Sequence, residues 1–599
     1  MPDTMTELDP AGDQAAISTF SYFEDLPPLP VPPLRETLAR YVETVAPLLS
    51  PSELAKTGEA VAELLTPGGV ADQLQAGLEI RGETRDNWLS GWWEEGAYLA
   101  WPDPLPINSS IAISCDARLP SGNQALRAAE VTHGAASFYT EIRDETFPPE
   151  TQRDGSGLDM SLLRRFFATN RVPGPAGDRI ESYQHIRHIV VLRNRRLYTF
   201  DVLDEDGAVL PVEDLNAQFQ RIITARAPAD NPAPAIAALT AVERPVWAEV
   251  REGLCGDPHN KMTLGVIESA LFHVCVDDID CSDFTQLGRE GFHGRPGGRW
   301  FDKALTLVVD QAGRMVLHGE HSPVDAGAWC PLLDRIGESQ VLAVERETTD
   351  EPAPKRLHIT LDAKAFTAVD AATAAFNAQI DDLDLQVTNF DAFGKNLIKT
   401  FKTGPDPVIQ MAMQLAYFRT YGRLPKTYES ASTRMYKLGR TETIRVASNQ
   451  ALALVRAMDE PGVTLAERAE LARAAFAEHS KRGREASAGF GVDRHLFGLA
   501  QIAKEQGIAE LPALFSEEIY TRSWELSTAQ VPLKSAFCNH FGPVMEDGYG
   551  VAYVVKPDEL HFSVSSFRRS DVTDTAGFTA AIVQALQDMR SVLEAEAGA

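Results

Sequence analysis

His321 is the residue whose type and position first suggest chemistry, since a histidine at the end of a strand can act as an acid or a base. It follows the strand-like run RMVLHGE and precedes Ser322 and Pro323, and proline disfavours the continuation of a regular element. An imidazole that projects into a cleft can take a proton at neutral pH. The chain has 13 histidines, however, and a single histidine is more often a packing or surface residue. The position alone makes His321 a candidate general base.

A second segment of possible chemistry runs from Thr427 to Arg445, TYESASTRMYKLGRTETIR. It is dense in hydroxyl groups and carries Arg434, Arg440 and Arg445. Guanidinium and hydroxyl donors together can hold a small zwitterion through charge-assisted hydrogen bonds. Without other information, these residues favour the alternative, a solvated and turn-rich surface segment.

The third segment, FGKNLIKTFKTGPD at 393–406, is locally basic. Lys395, Lys399 and Lys402 recur at helical spacing or along one loop. The chain has 56 Lys and Arg residues against 85 Asp and Glu residues, a net charge of −29, so such a cluster predicts a local site for phosphate groups. A solvated face of lysines is an equally good interpretation. The sequence has no P-loop, no dinucleotide-binding glycine motif and no GxSxG nucleophile motif.

Strands and helices that could position these residues are readable along the chain. Runs rich in β-formers on either side of short polar turns predict three β-hairpins, at 188–202, 303–322 and 549–567. A helix is expected from Asp406, with Pro407 in its first position, to a stop near Gly422. Thr464 and Glu467 predict a capping box at the start of another helix. Residues 574–597 are expected to form a terminal amphipathic helix. The aromatic segment at 87–101 is expected to be mainly a core helix or packing corner.

Composition limits the class of protein. The 599 residues are 44% hydrophobic and 24% charged, which is typical of a soluble globular protein. The acidic net charge argues against nucleic acid as a partner. Six cysteines without a CxxC pair favour reduced thiols, so we expect a cytoplasmic protein. No signal peptide and no membrane span are expected, since the first twenty residues and the rest of the chain lack the apolar runs for them.

Ten short motifs, in one order over about residues 29–593, resemble the choline/carnitine acyltransferase family. The first five are PLPVPPLRETLARY, WWEEGAYLAWPDPLPINSS, NRVPGP (170–175), RWFDKALTLVV (299–309) and GEHSPVDAG (319–327). The others are FGKNLIK, TYESASTRMYKLGRTETIR, DRHLFGL (493–499), STAQVP (527–532) and FGPVMEDGYGVAY (541–553). Each motif alone is weak, but their common order is hard to explain by chance.

The resemblance implies an α/β fold with two lobes of topology like that of chloramphenicol acetyltransferase. Each lobe would be a mixed β-sheet flanked by helices, with an active-site tunnel at the interface. Residues 1–20 would form a flexible tail. Residues 95–360 would form the N-terminal-type lobe with the catalytic histidine. Residues 21–94 together with 361–599 would form the C-terminal-type lobe, which binds carnitine and coenzyme A.

The function implied by the resemblance is reversible transfer of an acyl group between acyl-CoA and the 3-hydroxyl of L-carnitine. His321 matches the family's general base, and no covalent acyl-enzyme, metal ion or cofactor is expected beyond coenzyme A as substrate. Asp325 and Arg440 match a pair that orients the site. Ser527 and Thr528 match the start of the family's STS motif, but Ala529 replaces its last serine. A monomer is expected, since the tunnel needs one chain.

Substrate-binding residues are also implied by the resemblance. Matches to the carnitine site are Tyr428, Thr441, Thr443 and Arg494, of which the last three favour carnitine over choline. Matches to the coenzyme A site are Lys395, Lys399 and Asp406, and those to the acyl pocket are Asn539, Phe541 and Gly542. Asn539 lies near the position that gates acyl-chain length, and asparagine slightly favours short or medium chains. Two alternatives remain open: a choline or other amino-alcohol acyltransferase, and an acyl-CoA-binding protein weakened by the loss of the serine at 529.

Overall fold

The structure is a computed structural model that describes residues 18–115, 123–225, 233–338, 350–532 and 535–597. The strands of these residues are β1 (Ile111–Cys115), β2 (Thr169–Val172), β3 (Arg179–Ser182), β4 (His188–Arg193), β5 (Arg196–Asp201), β6 (His273–Cys275), β7 (Leu305–Val309), β8 (Met315–Gly319), β9 (Lys355–Leu357), β10 (Leu383–Phe390), β11 (Thr427–Ser432), β12 (Thr441–Arg445), β13 (Leu526–Gln530), β14 (Ala536–His540), β15 (Tyr549–Val555) and β16 (Leu560–Phe567).

The helices of the same residues flank the strands. They are α1 (Leu34–Val45), α2 (Pro51–Leu64), α3 (Val70–Thr84), α4 (Ser90–Glu94), α5 (Gln124–Arg143), α6 (Val212–Thr224), α7 (Arg244–Cys255), α8 (Pro258–Ser269), α9 (Phe284–Phe292), α10 (Cys330–Glu338), α11 (Ala363–Asp382), α12 (Lys395–Thr400), α13 (Pro405–Tyr421), α14 (Asn449–Met458), α15 (Leu465–Ser487), α16 (Asp493–Glu505), α17 (Glu518–Thr521) and α18 (Thr575–Ala597). None of these helices is both long and apolar enough to cross a membrane.

Two large mixed sheets organise the molecule. The eight-stranded sheet has the order β14-β1-β8-β7-β6-β4-β5-β9, and the six-stranded sheet has the order β10-β16-β15-β13-β11-β12. Parallel pairs lie inside both sheets, β4-β6-β7 in the first and β11-β13-β15 in the second. The predicted mixed α/β fold with sheets flanked by helices is therefore confirmed.

One strand from the C-terminal part of the chain joins the sheet of the N-terminal part. Strand β14 pairs antiparallel with β1, whose other neighbour is β8, the strand before His321. Residues 536–540 therefore belong to the same sheet as the candidate base. The division of the chain into the three predicted ranges stays a prediction.

The three predicted hairpins are confirmed by the pairs β4-β5, β7-β8 and β15-β16. The first turn uses Asn194 and Arg195, both with positive φ, and the second uses Gly313 at φ 81°. The hairpin β7-β8 matters most, because its second strand leads directly into His321.

The helix that was predicted to begin at Asp406 begins one residue earlier. Pro405 itself occupies the first turn of α13 after the cap residue Gly404, a position where the missing backbone N–H of proline costs nothing. The predicted stop is confirmed, since Gly422 caps the helix at φ 72°. The capping box of Thr464 and Glu467 is also confirmed at the start of α15.

Candidate active site

A cavity of about 880 Å³ is lined by residues of both sheets. The first sheet contributes residues around β1, β14 and the segment after β8, including His321 and Asp325. The second contributes Tyr428 from β11 and Ser527 from β13. The cavity therefore brings together residues that lie more than 200 positions apart in the sequence.

His321 is oriented by the backbone of its own loop. Its Nδ1 lies 3.0 Å from the carbonyl oxygen of Val324. A carbonyl can only accept, so Nδ1 carries a hydrogen, and in the neutral tautomer Nε2 holds the lone pair. The side chain is 25% exposed, and the residue lines the cavity. A neutral imidazole with a free Nε2 is the arrangement that a general base needs.

The loop that carries His321 is fixed by buried contacts. A side chain at Gly319 would meet the ring of Trp329 at 1.7 Å, so only glycine lets this tryptophan pack under the end of β8. The next residue, Glu320, accepts hydrogen bonds from the backbone N–H of Ser322 and from Arg171 at 3.1 Å. These contacts limit the positions that the imidazole can take.

Asp325 and Arg440 form a bidentate ion pair beside His321. Arg440 donates from Nε and Nη2 to the two carboxylate oxygens at 2.7 and 2.9 Å, and from Nη1 and Nη2 to the carbonyls of Ser322 and His321. Burial raises the pKa of Asp325, but the charge and hydrogen bonds of Arg440 outweigh it and hold the pKa below its usual value. Asp325 stays ionised and lies 3.8 Å from Nδ1 of His321. The pair orients the loop across the two sheets.

Arg494 is buried behind the residues that line the cavity. Its guanidinium donates to the Thr441 carbonyl at 3.0 Å, to the Thr443 hydroxyl at 3.3 Å and to the Thr441 hydroxyl at 3.4 Å. It stacks on the ring of Trp93 with 3.6 Å between the guanidinium carbon and the ring centroid. Tyr428 and Thr441 line the cavity, whereas Arg494 and Thr443 lie behind them. The four predicted carnitine-site residues are thus neighbours in space.

No carboxylate forms an ion pair with Arg494 among the described residues. The nearby Glu442 accepts hydrogen bonds at Oε1 from the backbone N–H groups of Thr443 and Arg494, and burial raises its pKa to about 7. Buried guanidinium groups normally have an anionic partner. The local chemistry therefore suits an anionic group of a ligand.

The arginines of the segment 427–445 do not serve this purpose. Arg440 is paired with Asp325, Arg445 makes two hydrogen bonds to Asp493, and Arg434 contacts Glu150. Each of these three charges is already paired within the protein, so none of them is left over for a zwitterion. Tyr428 and Thr441 of the same segment line the cavity, and a role of the segment in binding a zwitterion stays a prediction.

Strand β13 forms another wall. Successive strand residues point to opposite faces, so Ser527 and Ala529 share one face and Thr528 points to the other. The Thr528 hydroxyl donates to the Tyr428 carbonyl at 2.8 Å and accepts from Gln410 at 3.0 Å. The hydroxyl hydrogen of Thr528 is therefore already donated to the backbone. On the opposite face of β13, Ser527 provides a hydroxyl next to Ala529. Their catalytic roles stay predictions.

Residues of the predicted acyl pocket also line the cavity: Asn539, Phe541 and Gly542. Asn539 ends up opposite Ile113 of β1. A side chain at Gly542 would meet the carbonyl oxygen of Ile107 at 2.3 Å, so this position requires glycine for the close approach of the two chains. The three residues therefore line the cavity at and after the end of β14, and their role as an acyl pocket stays a prediction.

Lys395 and Lys399 lie one turn apart on α12, half-buried and exposed respectively. Neither lines the cavity, and their contacts with coenzyme A stay a prediction. Asp406, at the start of α13, accepts hydrogen bonds from His479 Nε2 at 2.9 Å and from the Tyr553 hydroxyl at 2.5 Å. Its predicted role in binding coenzyme A also stays a prediction.

His479 lies between two carboxylates, those of Asp406 and Glu429. Burial alone lowers the pKa of His479, but Glu429 and Asp406 outweigh it and raise the pKa to about 10. Ligand atoms of the three residues lie within 4.8 Å of one another, yet an imidazolium has no lone pair for a metal ion. At neutral pH this cluster is an ion-pair network.

Two cavity residues were missed by the sequence analysis. The ring of Tyr98 lies 5.3 Å from that of His321, and Trp93 covers Arg494. Trp88 and Trp92 are 1% and 8% exposed, so the predicted packing role holds for part of this segment. The many aromatic residues at 87–101 could have pointed to these two, but their number does not show which rings face a cavity.

Comparison with known proteins agrees with the resemblance found in the motifs. The model of the choline/carnitine O-acyltransferase family matches residues 29–584. Carnitine O-acetyltransferase of Columba livia is 36% identical over 95% of this chain and 94% of its own length. The human carnitine O-acetyltransferase is 34% identical, with coverages of 98% and 96%. Peroxisomal carnitine O-octanoyltransferase of Bos taurus is 32% identical, with coverages of 96% and 97%.

The likeness to a solved structure is much more distant. The starter condensation domain of rhizomide synthetase RzmA overlaps 87% of this chain and 95% of its own, with a TM-score of 0.32 and 11% identity, too low for any conclusion about function. The family match over most of the chain and the identities above 30% decide the assignment. This chain therefore belongs to the choline/carnitine O-acyltransferase family and is an acyltransferase.

Proposed function

We propose that the protein is a carnitine O-acyltransferase, which moves an acyl group reversibly between coenzyme A and the 3-hydroxyl of L-carnitine. Support comes from the relatives, which are named carnitine O-acetyltransferases and an octanoyltransferase. Further support comes from the cavity, where Nε2 of His321 has no hydrogen-bond partner among the described residues, and from Arg494 behind its lining, which has no anionic partner among them.

In this proposal His321 acts as the general base. Nε2 removes the proton of the carnitine hydroxyl while the hydroxyl oxygen bonds to the thioester carbonyl carbon. The tetrahedral intermediate carries its negative charge on the former carbonyl oxygen, and a nearby hydroxyl such as that of Ser527 donates to it. The carbon–sulfur bond then breaks, and the thiolate takes the proton from the imidazolium. The acyl group passes directly between substrates without an acyl-enzyme.

The choice of carnitine as the acceptor rests on the surroundings of Arg494. Carnitine has a carboxylate, and choline has none. A buried guanidinium that lacks a carboxylate within the described protein gains a partner from carnitine but stays unpaired with choline. Tyr428 and Thr441, which line the cavity next to Arg494, would share the carboxylate.

A thiol-release panel tests the proposal. Acetyl-, hexanoyl-, octanoyl- and palmitoyl-CoA are each incubated with carnitine and with choline, and free thiol is measured. We expect release that depends on carnitine with at least one of these thioesters. Release with choline alone would replace this proposal by an amino-alcohol acyltransferase. Binding of coenzyme A without release from any thioester would mean that the loss of serine at 529 has left a binding protein.

A further inference from the structure

The wall of the proposed acyl pocket contains an unpaired amide. Asn539 lines the cavity and is 5% exposed, and its buried Oδ1 has no hydrogen-bond partner among the described residues. Burying an amide oxygen without a partner costs about 1–3 kcal/mol in proteins. A bound ligand with a hydrogen-bond donor would remove this cost.

The surroundings of Asn539 within the sheet are apolar. It pairs with Ile113 of β1, which in turn pairs with Leu317 of β8, and residues directly opposite in a sheet point to the same face. Both neighbours are fully buried hydrophobic residues. The amide oxygen therefore has no polar neighbour in this row of three residues, of which Asn539 is the polar member.

Neighbouring His540 shows that polar groups of β14 can be satisfied within the protein. Its Nε2 lies 2.7 Å from the Ser114 hydroxyl, and its Nδ1 lies 2.9 Å from the Ser563 hydroxyl. Burial lowers the pKa of His540 to about 3, so the ring is neutral. The unpaired amide of Asn539 is therefore not a general property of this strand.

A second observation points to the same part of the cavity. The hydroxyl groups of Ser109 and Ser110 line it and are also buried without a hydrogen-bond partner. Both precede β1, whose first residue Ile111 pairs with Gly319, two residues before His321. Polar groups without a partner thus lie both before β1 and on β14 in the lining of the same cavity.

The chemistry of this wall selects a neutral polar group rather than a charged one. The lining residues of β1, β14 and the segments next to them are uncharged at this wall: Ile107, Ser109, Ser110, Ile111, Asn539 and Phe541. None of these six residues carries a charge that would pair with a carboxylate on the acyl chain. A hydroxyl both donates and accepts, so it can satisfy the asparagine amide in either orientation.

We propose that the acyl pocket prefers short acyl groups that carry a hydroxyl, which hydrogen-bonds to the side chain of Asn539. This inference rests on the proposed acyl transfer and adds the class of thioester. Asn539, near the position that gates the acyl pocket in the family, would then select acyl groups by polarity as well as by length.

The test compares thioesters that differ by one hydroxyl. Carnitine-dependent thiol release is measured with acetyl-, butyryl-, 3-hydroxybutyryl- and 4-hydroxybutyryl-CoA for the wild type and for Asn539→Leu, which keeps the approximate shape of the side chain. We expect kcat/KM for a hydroxybutyryl thioester to exceed that for butyryl-CoA by about tenfold or more in the wild type. The preference should vanish or reverse in Asn539→Leu.

Ile113→Val is the matched control, because it removes one methyl group opposite Asn539 and leaves the polarity unchanged. It should change kcat/KM for butyryl and hydroxybutyryl thioesters by the same factor. Acetyl-CoA, whose acyl group has no chain, reports the acyl transfer itself. Absence of release from every thioester would overturn the proposed function.

Release from acetyl-CoA together with equal kcat/KM for butyryl- and hydroxybutyryl-CoA would overturn only the inference about Asn539. This result is also expected if a water molecule satisfies the amide. A hydroxyl preference that survives Asn539→Leu would equally overturn the assignment to this residue.

Discussion

Two buried arginines, Arg440 in the cavity lining and Arg494 behind it, have different surroundings. Arg440 makes a bidentate pair with Asp325, whereas Arg494 donates to threonine groups and stacks on Trp93. The first charge is neutralised within the protein, and the second lacks such a partner in the described residues. The ion pair of Arg440 therefore holds the loop of His321 in place. Arg494 keeps a charge that the carboxylate of carnitine would neutralise in the proposed function.

Loss of the paired arginine should have the largest effect on stability. In Arg440→Ala, Asp325 keeps a buried charge without a partner, so the free energy of unfolding should fall by about 3–5 kcal/mol. Denaturant unfolding measures this change. The double variant Arg440→Ala/Asp325→Ala removes both charges and should recover much of the loss. Equal stability of the wild type and Arg440→Ala would show that the pair does not hold the loop.

Loss of the unpaired arginine should instead affect the acceptor. Arg494→Ala should lower kcat/KM for carnitine about 10²- to 10³-fold, because the substrate carboxylate loses a buried charged partner. Its stability should fall less than that of Arg440→Ala, since the lost contacts are hydrogen bonds to Thr441 and Thr443 and the stacking on Trp93, and no carboxylate loses an ion-pair partner. Steady-state kinetics and unfolding are both measured. A large loss of stability with an unchanged KM for carnitine would show that Arg494 stabilises the fold and does not bind carnitine.

His479 is a third buried cationic group, and two carboxylates keep its imidazole ring protonated. The pKa of His479 is raised to about 10 in the folded protein, against roughly 6.5 in an unfolded chain. Its contribution to stability is therefore complete below pH 6.5 and is lost as the pH rises towards 10. His479→Gln should flatten this decline in Tm. A decline of the same size in both proteins would show that His479 is not its source.

The sequence predicts local structure around the cavity better than contacts between remote parts of the chain. The hairpin that positions His321 follows from alternating β-formers around a short turn, and the structure confirms it. The partners of Arg434 and Arg445 could not be predicted, because their carboxylates come from remote parts of the chain. Trp93 and Tyr98 were missed because adjacent aromatic residues can pack in the core or face a cavity. The start of α13 was wrong because two prolines lie close together, Pro405 and Pro407.

The smallest expected effect concerns the wall at β13. Ala529→Ser should raise kcat about fivefold, since one added neutral hydrogen bond contributes about 1 kcal/mol. Ser527→Ala is the matched change on the same face of the strand and should lower kcat. Initial rates at saturating substrates measure both. No change in either variant would mean that hydroxyl groups of this face do not contact the oxyanion.

The central claim is that His321 is the general base, and its replacement tests this most directly. His321→Ala should lower kcat for carnitine-dependent thiol release about 10²- to 10⁴-fold while Tm stays close to that of the wild type. Free imidazole should then accelerate the variant but not the wild type. Turnover of His321→Ala at the wild-type rate without imidazole would contradict the account.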